Sequence, residues 1–194
     1  MKEERWHWLG GRPSLDFANT FRGRWRGGEE TLSAPRDLGE WLVEAGLLAE
    51  PMPVPRVVLD EARELREAID TTVVAVTAGK PVPPAAIKRI DRWLVHAGTR
   101  PHLLLADDGI PLLGERGPAA SPRRALGTIA LDAARMLGTE SERDRVRICE
   151  GDACSVRFYD RSPAAARRWC SMRLCGNVAK ARRHRSRQSA EAAA

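Results

Sequence analysis

The chain has no long hydrophobic run. Its longest uncharged apolar stretches, such as Thr71–Gly79, stop well short of the ~20 residues a membrane-spanning helix requires. Nothing apolar backs the mixed-charge start Met1-Lys2-Glu3-Glu4-Arg5, so no signal-peptide core is present and a cytoplasmic protein is expected. There is no phosphate-binding glycine loop with its lysine and no Gly-x-Ser-x-Gly elbow. His7, His96 and His102 lack metal-ligand spacing, and no enzymatic activity is expected. Repeats are missing too, and the Ala-rich tail 189–194 is expected to be disordered. Aromatics make up only 5% of residues, and just four of the 32 basic residues are Lys, an Arg bias that codon usage can also produce. A hydrophobic content of 43% nevertheless excludes a disordered chain, and 194 residues suffice for one domain with a small appendage.

What is present falls into two parts. Residues 1–140 carry 19 Lys and Arg against 20 Asp and Glu, whereas residues 141–194 carry 13 against 6. The formal charge of +6 therefore arises in the last quarter, which also holds all four cysteines. Four cysteines scattered at random would share so short a window in only about 1% of chains, so the cluster is a framework.

The first part reads as mainly helical. Trp6–Leu9 suggests a short strand, and Pro13-Ser14 opens a helix carrying Leu15, Phe17 and Phe21. Leu38, Trp41, Leu42 and Ala45 mark a second helix, over about 36–47. Val58, Ala62, Leu65, Ile69, Val73 and Val76 mark a long third. Residues 84–96 and 122–137 repeat the helical period, and between them 102–106 and 110–113 read as a hairpin around Asp108-Gly109. Residues 138–144 are polar and read as a link. The fold class expected for 1–140 is mainly α (α+β), with a minor antiparallel sheet.

The second part reads Cys149-x4-Cys154-x15-Cys170-x4-Cys175. Where thiols stay reduced, two such pairs suggest one tetrahedral zinc ion. Disulfides would demand export, and a thioredoxin-type pair needs two intervening residues. A unit this small has little core of its own, and structural zinc supplies an apparent ~10–16 kcal/mol. Cys170 and Cys175 are five residues apart and would point about 140° apart on a continuous α-helix, so the helix must break between them. The expected module is treble-clef-like: strands at 145–149 and 155–159, a short helix over 163–169, and a basic helix from about Val178 to Arg187. His184 sits among arginines and is read as solvated or phosphate-facing.

Arg167-Arg168-Trp169-Cys170-Ser171-Met172 followed by Cys175-Gly176-Asn177, with Phe158 and Asp160 upstream, resembles the CGNR zinc finger. Leu15-Asp16-Phe17-Ala18-Asn19-Thr20 after Gly10-Gly11 resembles the opening of the ABATE domain, a family of stress-induced transcription regulators. The resemblance implies an ABATE-like regulatory domain over 1–140 and a zinc finger over 145–188. It also implies one structural zinc on Cys149, Cys154, Cys170 and Cys175, and DNA as partner. The motif's Arg is Val178 here, and the nucleic-acid contact expected of that Arg goes with it.

Arg167, Arg168, Lys180, Arg182, Arg183, Arg185 and Arg187 form the expected phosphate-facing set. RNA, or an acidic protein docked on a zinc-stabilised adaptor, is the alternative partner. Asp16 and Asn19 share a helix face beside Thr20, where they either bind a small polar effector or anchor nearby backbone. The oligomeric state, a homodimer included, is left open.

Overall fold

The computed structural model describes residues 5–98, 102–106, 108–114 and 119–192, with the side chains of 102, 104, 112–114, 184, 187 and 189–192 outside the description. Proline sets the helix starts. Helices α1 (Pro13–Ala18), α2 (Pro35–Glu44), α4 (Pro84–Leu94) and α5 (Pro122–Gly138) begin on proline, and α3 (Arg56–Thr77) begins directly after Pro55. A first-turn proline gives up only an N–H that lacks an intrahelical partner anyway, and its fixed φ already suits the helix. Side chains complete two of these starts. The Asp37 carboxylate accepts the Ala34 N–H at 2.7 Å, and the Ser121 hydroxyl accepts from Arg124 N at 3.3 Å.

Helices α3, α4 and α5 pack against one another, and the short α1 lies across α3 and α5. The core they enclose includes Leu15, Phe17, Leu38, Leu59, Ile69 and Ile129, all fully buried. Each such side chain contributes roughly 1.5–3 kcal/mol by leaving water. Antiparallel ladders are small: β1 (Phe21–Arg22) with β2 (Glu29–Glu30), β3 (His102–Leu105) with β4 (Pro111–Gly114), and β5 (Val146–Ile148) with β6 (Arg157–Tyr159). The chain ends in a wide π-type turn, Met172–Gly176, running into α7 (Asn177–Ala192). The Asp-Gly hairpin forms where the alternation places it, although Asp107 of its turn lies outside the described residues.

Several local expectations are overturned. Trp6–Leu9 is not a strand: Trp6 is drawn into the core and Trp8 stacks on Trp41 at 5.6 Å. Residues 163–169 are irregular instead of helical. Asp160 bridges them, accepting Ser162 N at 2.9 Å and Arg167 N at 2.7 Å, and Ala165 adopts a left-handed φ of 45° that no α-helix tolerates. The polar link contains a helical turn, α6 (Glu140–Arg143), and α7 continues through 189–192, where a disordered tail was expected. Residues 193–194 lie outside the described residues.

The two parts of the sequence pack together. Val146 of β5 belongs to the main helical core, and β6 lies on α1. Gly10 makes this possible: a Cβ there would sit 2.7 Å from Asp16 N and 2.8 Å from Leu15 Cβ. Its carbonyl accepts the Tyr159 N–H at 2.8 Å, which ties the segment before α1 to β6.

Candidate functional site

The hairpin β5–β6 carries the first cysteine pair on its connecting knuckle. Cys149 N donates to Val156 O at 2.9 Å as the ladder ends, and Cys154 N donates to Gly151 O at 2.8 Å to close the turn. A Cβ on Gly151 would press to 3.2 Å on both Cys154 Cβ and Cys175 Sγ, so glycine leaves room for the sulfurs to close up. The second pair meets the first through the π-type turn. Cys175 N and Gly176 N both donate to Ser171 O, at 3.0 and 3.1 Å, and Ser171 Oγ accepts Leu174 N at 3.3 Å. Cys170 lies outside this turn: Ser171, which caps it, is extended (φ −145°, ψ 132°), so no helix runs from Cys170 to Cys175. The break demanded by the x4 spacing is therefore the extended Ser171, which starts the turn that carries Cys175.

All four sulfurs lie within 4.8 Å of one another, with Cys154–Cys170 and Cys170–Cys175 each at 3.8 Å. A tetrahedral site with Zn–S bonds of ~2.3 Å places its sulfurs about 3.8 Å apart, so the cage fits zinc. Cys170 N also points at Cys149 Sγ, at 3.4 Å, as a backbone donor to a metal-bound thiolate would. Thiols this close cannot all ionise unaided. Donation from Cys154 and Cys170 pulls Cys149 down, whereas burial and the Cys154 and Cys149 charges push Cys175 up to about 12. A divalent cation removes that conflict. Four soft thiolates with no open position make a closed structural site.

The comparisons with known proteins agree. Residues 145–188 match the model of the CGNR zinc finger, and residues 11–140 match the ABATE model, described as "putative stress-induced transcription regulator". No curated protein matches the chain. Fold and cysteine cage together define a helical domain joined to a small zinc-finger module. The chain belongs to the ABATE family and carries a C-terminal CGNR zinc finger, whose clustered Cys149, Cys154, Cys170 and Cys175 are able to hold one zinc ion.

The expected basic set divides. Arg167 lies against the zinc module: its Nη2 donates to Cys170 O at 2.7 Å and its guanidinium lies 5.2 Å over Phe158. Its side chain stays exposed while bonding the backbone of the second cysteine pair. Arg168 lies over Trp169 and pairs with Glu150 at 2.6 Å, and Arg182 pairs with Asp152, so two knuckle acids hold two of the arginines. Lys180, Arg182, Arg183 and Arg185 are exposed along α7, while the side chains of His184 and Arg187 lie outside the described residues.

Asp16, Asn19 and Thr20, the candidate effector residues, all have side chains hydrogen-bonded within the protein. Asn19 Nδ2 donates to Arg157 O and Asn19 Oδ1 accepts Arg157 N, both at 2.9 Å, clamping β6 at both ends of one residue. Thr20 Oγ1 donates to Phe17 O at 2.7 Å. Asp16 Oδ1 accepts Gly10 N at 2.7 Å, so the anchor role holds for the whole motif. Burial pushes the Asp16 carboxyl up to about 6, against the lowering effect of the Gly10 N–H. The folded chain then binds this proton more tightly than the unfolded chain does. Stability should fall by up to roughly 3 kcal/mol as pH rises from about 4 to about 6, and an Asp16→Asn variant, measured by urea unfolding, should lose that slope.

Sequence reasoning missed the other side of this junction. Arg157, 1% exposed, reaches back to Asp70 of α3 with Nε 2.5 Å from Oδ1, a close ion pair without good hydrogen-bond alignment. Its guanidinium also lies 5.0 Å from the Trp25 ring, and Trp25 Nε1 donates to Cys154 O at 3.0 Å. The only sequence signal was a charged residue set between Val156 and Phe158.

Proposed function

We propose that the chain is a stress-response transcription regulator that binds DNA in the cytoplasm through the exposed basic side of α7, with the zinc cage fixing where that helix points. The observation that carries this reading is the run of exposed cations at Lys180, Arg182, Arg183 and Arg185, projecting from a turn anchored by two zinc ligands. Guanidinium groups pair bidentately with phosphate oxygens, and a helix carrying them suits the backbone of a duplex. The helical domain, packed against β6, supplies a body through which a stress signal can act on the zinc module.

The test is a titration of labelled genomic fragments at several salt concentrations. If about five phosphates are neutralised, log affinity should fall against log salt with a slope near −4 to −5. A slope near zero overturns the reading. The pairing of Arg168 and Arg182 with Glu150 and Asp152 favours one alternative, an adaptor whose cations engage carboxylates on an acidic protein. Co-purification of such a protein in place of DNA would establish it.

A further inference from the structure

An open groove of about 740 Å³ runs between the knuckle and α7, reaching in to Cys154, Cys170 and Cys175 of the cage and bordered by His7, Leu9 and Arg26 from the helical domain. Its volume is that of a typical ligand site. Its apolar lining comes from Leu9, Val156, Trp169, Leu174 and Val178, of which Leu174 and Val178 are 50% and 64% exposed. Its rim is cationic, with Arg26, Arg168, Arg182 and Arg183. Val178 stands where the zinc-finger motif has Arg, so at this rim position the chain offers apolar surface instead of a charge.

An apolar concavity ringed by guanidinium groups matches a ligand with a flat apolar face joined to an anion. An unpaired nucleotide is such a ligand. In a duplex the base faces are stacked on their neighbours, and the exposed edges are polar; in a single strand the faces are free to lie on aromatic and aliphatic side chains. We propose that this groove is a binding subsite for one or more unpaired bases of a nucleic-acid strand, with Arg26 and Arg183 on the adjoining phosphates. Glu150 and Asp152 hold Arg168 and Arg182 at the rim in the free protein and yield them to phosphate on binding. The proposal rests on the nucleic-acid reading above and deepens it, placing bases in the groove and backbone along α7.

The test compares four fluorescein-labelled probes by anisotropy, using the full zinc-loaded chain. They are a short single-stranded DNA, the duplex of the same sequence, an abasic deoxyribose-phosphate oligomer of equal length, and polyglutamate. The Leu174→Gln/Val178→Gln double variant changes two exposed side chains, with zinc content and melting temperature checking that it folds. The wild type should bind the single strand at least about tenfold tighter than the abasic oligomer, and the double variant should erase most of that difference. Equal affinity for single-stranded and abasic probes, or an unchanged double variant, overturns the groove assignment while duplex binding leaves the DNA reading standing. Binding of polyglutamate with no binding of any nucleic acid overturns both.

Discussion

Stripping the metal with a high-affinity chelator should unfold the module and loosen the face of the helical domain it covers. The module's own buried cluster consists of Cys149, Val156, Phe158 and Cys170, two of which are metal ligands. The apparent ~10–16 kcal/mol of a structural zinc site is as large as the whole stability of an ordinary domain, so little of the module should survive its loss. The damage should spread along named contacts. Val146 would leave the main core, Asn19 would lose both partners on Arg157, and Gly10 O would lose Tyr159 N. Amide exchange should therefore show protection vanishing together in β5, β6 and α1, while α4 and α5, which pack on each other, keep theirs. A metal-free sample in which β5 and β6 exchange as slowly as before would contradict this account. By linkage, any change that tightens α1 on β6 should also tighten zinc.

Asp70→Ala should be the most damaging single substitution outside the cage, lowering stability by about 3–5 kcal/mol in urea unfolding with zinc still bound. Removing one partner of a buried ion pair leaves the other charge without compensation. Burial pushes the Asp70 carboxyl up and the Arg157 guanidinium down, so each ion depends on the other to stay charged. Arg24 Nη1, 3.3 Å from Asp70 Oδ2, extends the cluster towards Glu67 without relieving Arg157. The Asp70→Leu/Arg157→Met double variant, apolar on both sides, should recover most of the loss, because no ion then remains to desolvate. If the double variant is as unstable as Asp70→Ala, the pair is not the source of the effect.

Which parts of this arrangement could be read in advance follows from the range of each signal. The helices were legible because apolar residues at spacings of three and four, framed by proline and glycine, are local patterns. The zinc cage was legible because cysteine clustering is rare and the x4 spacing excludes a continuous helix between Cys170 and Cys175. The irregular path of 163–169 was not, since Ser162-Pro163 is a sound helix start and only the reach of Asp160 to Arg167 N overrides it. Arg167 stood out as a phosphate ligand by composition, whereas its bond to the Cys170 carbonyl and its place over Phe158 depend on contacts that composition does not carry. The role of Asn19 is non-local altogether: two hydrogen bonds to a residue in another part of the chain leave no periodicity behind. Arg157 was hidden for the same reason, because strand alternation gives no sign that both faces of the hairpin are covered.

The clamp between Asn19 and Arg157 joins residues 138 apart in sequence. A ribosome adding roughly 5–20 residues per second leaves Asn19 waiting roughly 7–28 s for its partner strand to be made. Throughout that interval the Asn19 amide lacks its partner, although α3 and α5, made earlier, can already receive the apolar side of α1. The four-thiolate cage is complete only once Cys175 has emerged, so the seating of α1 on β6 waits on the whole zinc module, and a product truncated before Cys175 would leave the Asn19 clamp unmade.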